Sequence, residues 1–163
     1  MLKKLFFYIS FFSFLVVSLN VFANSNKYRD ELPELQRYTD LTIGIRRINK
    51  GLKYEYKGKI KKANKMYSES INFLLKANKN QNIDPDIFFY LGFAYNKLKK
   101  FDNAETYYIL GLTLEPKNQY INKYLGELYL SLNKPILAKE RLKAMSGCDC
   151  DEYNDLKNSI DKY

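Results

Sequence analysis

Large apolar, small and polar positions recur in blocks along this chain. Residues 90–98 read YLGFAYNKL, and residues 124–132 read YLGELYLSL. Tyr, Leu, Gly, Tyr and the final Leu keep the same offsets, 34 residues apart. The match extends further: Ala104 falls on Ala138, and Tyr108 on Leu142, another large apolar residue. A pattern with this period predicts stacked helical units, none of which can bury its own apolar face alone. Helix punctuation agrees. Asp84-Pro85 reads as an N-cap followed by proline at the first helical position. Pro116 stops a second helix, and Asn133-Lys134-Pro135 starts another. Near the C-terminus, Tyr153, Leu156 and Ile160 stand at i, i+3 and i+7, one apolar stripe on an otherwise polar helix. The polar stretch ANKNQNID (77–84) reads as a loop. Residues 24–40, with Pro33, many charges and little periodicity, read as a linker with room for one short helix turn.

The unit Phe88, Leu91, Gly92, Tyr95, Ala104, Tyr108, Gly111, Pro116 resembles the tetratricopeptide repeat family, whose 34-residue unit is a helix–turn–helix. All eight of the family's preferred positions hold a residue of the expected size or type. The next repeat keeps Leu125, Gly126, Tyr129 and Ala138 but departs at Asn122, Met145 and Cys150, where an aromatic, a small residue and proline are usual. An earlier repeat is fainter. Gly51, Tyr54, Gly58, Ala63, Tyr67 and Ser70 fit a unit starting at Gly44, with Lys50 where leucine is usual. The resemblance implies an all-α superhelical solenoid over residues 41–163, with repeats at 44–77, 85–118 and 119–152 and a capping helix at 151–163. Small Gly92 and Ala104 would let two helices cross closely, with Leu91, Tyr95 and Tyr108 filling the space beside them.

The resemblance also implies a site. Members of this family bind peptides or partner helices on a concave face built by the first helix of each repeat. The matching positions here are Asp86, Phe89, Tyr90, Phe93, Asn96 and Lys97, then Tyr120, Lys123, Tyr124, Glu127, Leu130 and Ser131. In the fainter repeat they are Ile45, Ile48, Asn49, Leu52, Glu55 and Tyr56. This predicts an aromatic groove with a few charges, suited to interface contacts. Phe89 and Phe93 also suit simple packing between neighbouring helices. Tyr90, Tyr124, Lys123 and Glu127 are the better candidates for exposed contact. The carboxylate clamp of chaperone-binding members is absent: its positions hold Ile48, Leu52, Tyr90, Tyr120 and Tyr124. A protein or peptide partner is expected, self-association remains open, and recognition of that acidic C-terminal motif is not expected.

The N-terminus changes the picture of where this happens. MLKK precedes a continuous apolar run, LFFYISFFSFLVVSL (5–19), followed by Val21 and Ala23 at the −3 and −1 positions of a cleavage site. This is the grammar of a secretory signal peptide, 1–23, cut after Ala23. The run also approaches bilayer-spanning length, so an uncleaved membrane anchor, and with it a membrane-anchored assembly factor, is the alternative. No cysteine follows the run, which argues against a lipoprotein. An exported, periplasmic protein is therefore expected. The composition is rich in Lys, Asn, Ile, Tyr and Phe, the bias of an AT-rich bacterial genome. The tail after the cysteines, Asp-Glu-Tyr-x-x-Leu-x-x-x-Ile, resembles those of exported proteobacterial members of the family.

Charge and chemistry narrow the function. The net charge is +9, but the basic residues are scattered, with short clusters such as KGKIKK (57–62), and read as solvated helix faces. No zinc-finger spacing, RNA-binding motif or long basic arm is present, and nucleic acid is not an expected partner. There is no histidine, hence no histidine base and no imidazole metal ligand. No glycine-rich loop is placed to cradle phosphate. No enzyme, cofactor or metal site is expected. Cys148 and Cys150 are the only cysteines. They fall short of the usual four-ligand zinc site. Outside the cytoplasm, a disulfide pinning the turn before the last helix is the first reading. A redox-active or copper-binding thiol pair is the second. Inert or intermolecularly paired thiols are the third.

Overall fold

A computed structural model describes residues 35–79 and 84–163. The apolar run at 5–19, the cleavage site after Ala23 and the larger part of the 24–40 stretch lie outside the described residues, as do 80–83 of the polar loop. Residues 37–163 form one body of antiparallel helices, with no strand among the described residues. No helix among them is long and apolar enough to cross a membrane.

Seven helices are described. Helical backbone runs over 35–56 (α1), then α2 (Ile60–Ala77), α3 (Pro85–Lys97), α4 (Phe101–Leu114), α5 (Gln119–Ser131), α6 (Pro135–Ala144) and α7 (Asp151–Asp161). Within the stretch 24–40, residues 35–40 are helical and belong to α1. The reason is long-range. Arg37 forms an ion pair with Asp84, the N-cap of α3, at 2.9 Å, and Leu41 packs on the core. Neither contact leaves a local signature among the charges.

Hairpins α1–α2, α3–α4 and α5–α6 share one turn. Its left-handed residue is Gly58, Lys99 and Asn133 in succession, with φ of +66°, +59° and +59°. Only Gly58 takes this conformation without steric cost. The Asp84 cap is the one the sequence suggests, the Asn118 cap is an addition, and α6 begins at Pro135 after Lys134 with no side-chain cap. Asp84 accepts from the Asp86 amide at 2.9 Å ahead of Pro85, and Asn118 accepts from the Ile121 amide at 3.0 Å.

The core lies between hairpins. Ile48, Leu74, Ile87 and Leu91 form one buried cluster between the first two. Tyr108, Ile121, Leu125 and Leu128 form the next. At the far end, α7 packs on α5 and α6 and drives Leu156 into a fully buried position. A buried leucine of this kind contributes roughly 2–3 kcal/mol by removal from water.

The departures from the repeat pattern have physical reasons. Asn122 is fully buried, and its side-chain amide donates to the carbonyls of Pro116 (3.0 Å) and Asn118 (2.9 Å). It ties the inter-hairpin turn to α5, work an aromatic residue cannot do. Met145 is buried at the end of α6, and Cys150 is the residue preceding α7.

Candidate functional site

The first helices of the three hairpins, α1, α3 and α5, line an open groove of about 500 Å³. That volume falls in the range of ligand-binding clefts. Leu52 and Glu55 reach it from α1; Phe93, Asn96 and Lys97 from α3; Tyr124, Glu127, Leu128 and Ser131 from α5. Helical periodicity explains the convergence, because residues three and four apart share one face.

Phe93, Phe101 and Tyr124 are the groove's aromatic lining, and Phe93 and Tyr124 run on into an adjoining cluster of rings. Phe89 is the hub, with ring centroids 5.1 Å from Tyr90, 5.4 Å from Tyr124 and 6.1 Å from Tyr120. Phe93 meets Tyr124 edge-on at 5.4 Å. Each such pair contributes about 0.5–1.5 kcal/mol beyond simple burial. Phe93, only 9% exposed, belongs to the core as well as to the groove floor. Tyr90 and Tyr124 are half-buried and Tyr120 is exposed. Burial raises the phenol pKa of both Tyr90 and Tyr124, so they present neutral hydroxyls at any ordinary pH.

The charges are largely answered from within. Lys97 donates to Glu55 at 3.1 Å and lies 5.6 Å from the centre of the Phe93 ring. Glu55 also accepts from the buried Tyr67 hydroxyl at 2.5 Å. That hydrogen bond, joined by Lys97, holds the Glu55 carboxyl below the usual carboxylate range. Lys123 donates to Asp155 of α7 at 2.6 Å and lies 5.4 Å from the Tyr124 ring centre. Burial works against its charge, but the Asp155 hydrogen bond and nearby Glu127 outweigh it and raise its pKa. Glu127 differs: burial raises its carboxyl above the usual value, with Lys123 and Lys97 only partly offsetting this.

Of the expected positions on α3 and α5, Phe93, Asn96, Lys97, Tyr124 and Glu127 line the groove, whereas Phe89, Tyr90 and Tyr120 connect to it through ring contacts and Lys123 through its position beside the Tyr124 ring. From the fainter repeat, Leu52 and Glu55 join them, whereas Ile48 is buried in the core and Tyr56 stands 94% exposed and does not line the groove. Phe101 at the start of α4 and Asp155 of α7 complete the surroundings. Neither occupies a first-helix position, so the repeat pattern could not flag them. Cys148 and Cys150 are joined in a disulfide in the turn before α7. Among the described residues, no group of His, Cys, Asp and Glu is placed to hold a metal ion.

Hairpins stacked so that their first helices line a shared concave face, with a glycine under a tyrosine at each of the first two crossings, decide the architecture. The fold is that of a tetratricopeptide repeat domain. Solved domains with this fold superpose on it. The first such domain of Spaghetti, bound to the HSP90 peptide SRMEEVD, has a TM-score of 0.54 at 23% identity, covering 74% of this chain and 92% of that one. The Arabidopsis OM64 domain gives 0.55 at 18%, covering 76% and 98%. The Aspergillus fumigatus Sgt2 domain gives 0.55 at 16%, covering 73% and 77%. No family model matches the sequence, and no curated protein does. Against these tetratricopeptide repeat domains, the clamp positions here stay apolar or aromatic, with Leu52 and Tyr124 in the groove wall.

Proposed function

We propose that this protein is a non-enzymatic interaction scaffold of the bacterial cell envelope. It binds an extended or helical segment of another protein in the groove of α1, α3 and α5. One observation carries the reading: three helices converge on an open, partly aromatic surface whose first-helix lysines are already paired, Lys97 with Glu55 and Lys123 with Asp155, leaving Lys99 of the α3–α4 turn as the groove-lining lysine without an ion pair among the described residues. Such a surface offers ring faces and neutral tyrosine hydroxyls with a single unpaired lysine, Lys99, rather than a cluster of free cations. It therefore favours an apolar or aromatic segment over an acidic tail. The fold supports the general reading, since Spaghetti's domain holds a peptide. The apolar run at 5–19 and the Ala23 cleavage pattern support export.

The test is a crosslinked pull-down from the native envelope, read by mass spectrometry. Wild type is compared with Tyr90→Ala/Tyr124→Ala and with Cys148→Ser/Cys150→Ser. A partner lost only from the tyrosine variant establishes the groove. A partner lost only from the cysteine variant moves the function to the thiol pair. Equal recovery from all three removes the groove from consideration while leaving the fold intact. Absence of the protein from the envelope fraction would remove the proposed location.

A further inference from the structure

Seven lysines fall in one continuous segment that the fold places at one end of the α1–α2 hairpin. Residues 50–65 carry seven lysines and one glutamate, a net +6 of the chain's +9. Lys50, Lys53, Lys57, Lys59, Lys61, Lys62 and Lys65 are all exposed. None is ion-paired with a carboxylate among the described residues. The segment's single acid, Glu55, is committed to Tyr67 and Lys97 on the groove side. Lys50 from α1 and Lys62 from α2 both lie over the Tyr54 ring, at 6.0 and 5.9 Å, which binds the two helices' charges into one patch. The N-terminus of α2 adds to it, with no side-chain cap and no acid in its first turn. Its partial positive charge therefore stands beside Lys59, Lys61 and Lys62.

Two apolar side chains emerge from this patch. Tyr56 is 94% exposed and Ile60 is 53% exposed. At the corresponding turns, α3–α4 and α5–α6, Leu98 and Leu132 are partly buried against the core. The α1–α2 turn has Lys57 at that position instead, exposed and away from any core.

We infer that the α1–α2 hairpin tip docks on an anionic phospholipid bilayer surface. Lysines gain from the negative surface potential, while a tyrosine and an aliphatic side chain among them enter the headgroup and acyl boundary. Ile60 favours a bilayer over a nucleic acid, since an aliphatic side chain has no ring face for base stacking. The apolar run at 5–19 already implies passage to or through a membrane. Docking at the tip would leave the groove's aromatic face for its protein partner.

The experiment is flotation of the full-length protein with phosphatidylcholine vesicles, with and without phosphatidylglycerol. The N-terminal apolar run contributes to both, so the ratio of partition coefficients isolates the charge-dependent part. Wild type should prefer the anionic vesicles by roughly tenfold or more, falling with added salt. Lys57→Glu/Lys59→Glu/Lys61→Glu/Lys62→Glu should abolish the preference, and the four Lys→Gln replacements should reduce it. Lys117→Glu/Lys139→Glu/Lys143→Glu/Lys162→Glu, the same charge change elsewhere, should keep most of it. Tyr56→Ser/Ile60→Ser should weaken anionic-vesicle binding about threefold or more. Far-UV circular dichroism verifies that each variant is folded. The inference is overturned by no lipid preference in wild type, or by equal loss from the tip and control variants. It is also overturned by unchanged binding of Tyr56→Ser/Ile60→Ser, or by tighter retention on a DNA duplex at equal phosphate.

Discussion

The second and third hairpins share the YLG motif yet use its glycine differently. In the second, a Cβ on Gly92 would lie 2.5 Å from the Tyr108 ring, which comes from the same hairpin's second helix and is fully buried. In the third, a Cβ on Gly126 would meet the end of Leu156, at 2.6 Å, on α7. The residue that the repeat places opposite Gly126 is Leu142, which is only half-buried. The lesson is that the motif demands a large side chain over a glycine but does not say which helix supplies it. Within the stack the repeat supplies its own. At the end of the stack the capping helix does.

The sharpest way to break this comparison is Leu156→Ala. It should destabilise by about 2–5 kcal/mol, because it opens a cavity over Gly126 and loosens α7. Chemical denaturation would measure it, and a cost below about 1 kcal/mol would mean that α7 is not the third hairpin's filler. Next is Asn122→Phe, which restores the residue type found at Phe88 in the second hairpin. It should nevertheless cost about 2–4 kcal/mol, since it removes the side-chain donor to the Pro116 carbonyl and overfills a fully buried site, while the Asn118 carbonyl keeps its bond from the residue-122 amide. A neutral result would show the two hairpins to be interchangeable there.

The glycines themselves give the most direct contrast. Gly92→Ala should cost about 1–3 kcal/mol, because the Tyr108 ring is hemmed in on all sides. Gly126→Ala should fall within about 1 kcal/mol of neutral. The Leu156 tip can rotate aside, and alanine's helix propensity offsets the crowding. Equal thermal shifts for the two would erase the distinction.

The smallest effects sharpen the electrostatic side of the comparison. Glu127, near α7, has its carboxyl pKa raised by burial; Glu55 has its own lowered by Tyr67 and Lys97. A raised pKa means that the folded state holds the proton at a pH where the unfolded chain has lost it, so ionised Glu127 lowers stability at neutral pH. Glu127→Gln should therefore be mildly stabilising at pH 7, with the gain vanishing as pH falls to the unfolded value near 4.5. Glu55→Gln should do the opposite. Ionised Glu55 adds stability that is present above the unfolded carboxylate pKa and is lost as pH falls through its lower folded value. Both effects should stay below about 1 kcal/mol, because these groups are partly solvated. Thermal melts between pH 4 and pH 7 would measure them, and effects of the same sign would contradict the assigned environments.

Much of the fold was legible because it rests on local, periodic requirements. The 34-residue spacing, Asp84-Pro85 and the Tyr153/Leu156/Ile160 stripe each report a helix, a start or a buried face within a few residues of themselves. The expected groove positions on α3 and α5 come from the family resemblance, which carries over because a helix fixes which residues share a side. The clamp's absence, too, could be read directly from Ile48, Leu52 and the three tyrosines.

Only the tertiary structure decided the rest, because the deciding contacts join residues far apart in sequence. Arg37 meets Asp84 across 47 positions and extends α1 into the supposed linker. Lys97 and Lys123 look like free groove cations until Glu55 and Asp155 reach them across 42 and 32 positions. Leu156 crosses from α7 to cover Gly126, and Lys50 and Lys62 meet over Tyr54. Periodicity is a property of one helix; pairing, burial and the focusing of charge belong to the space between helices.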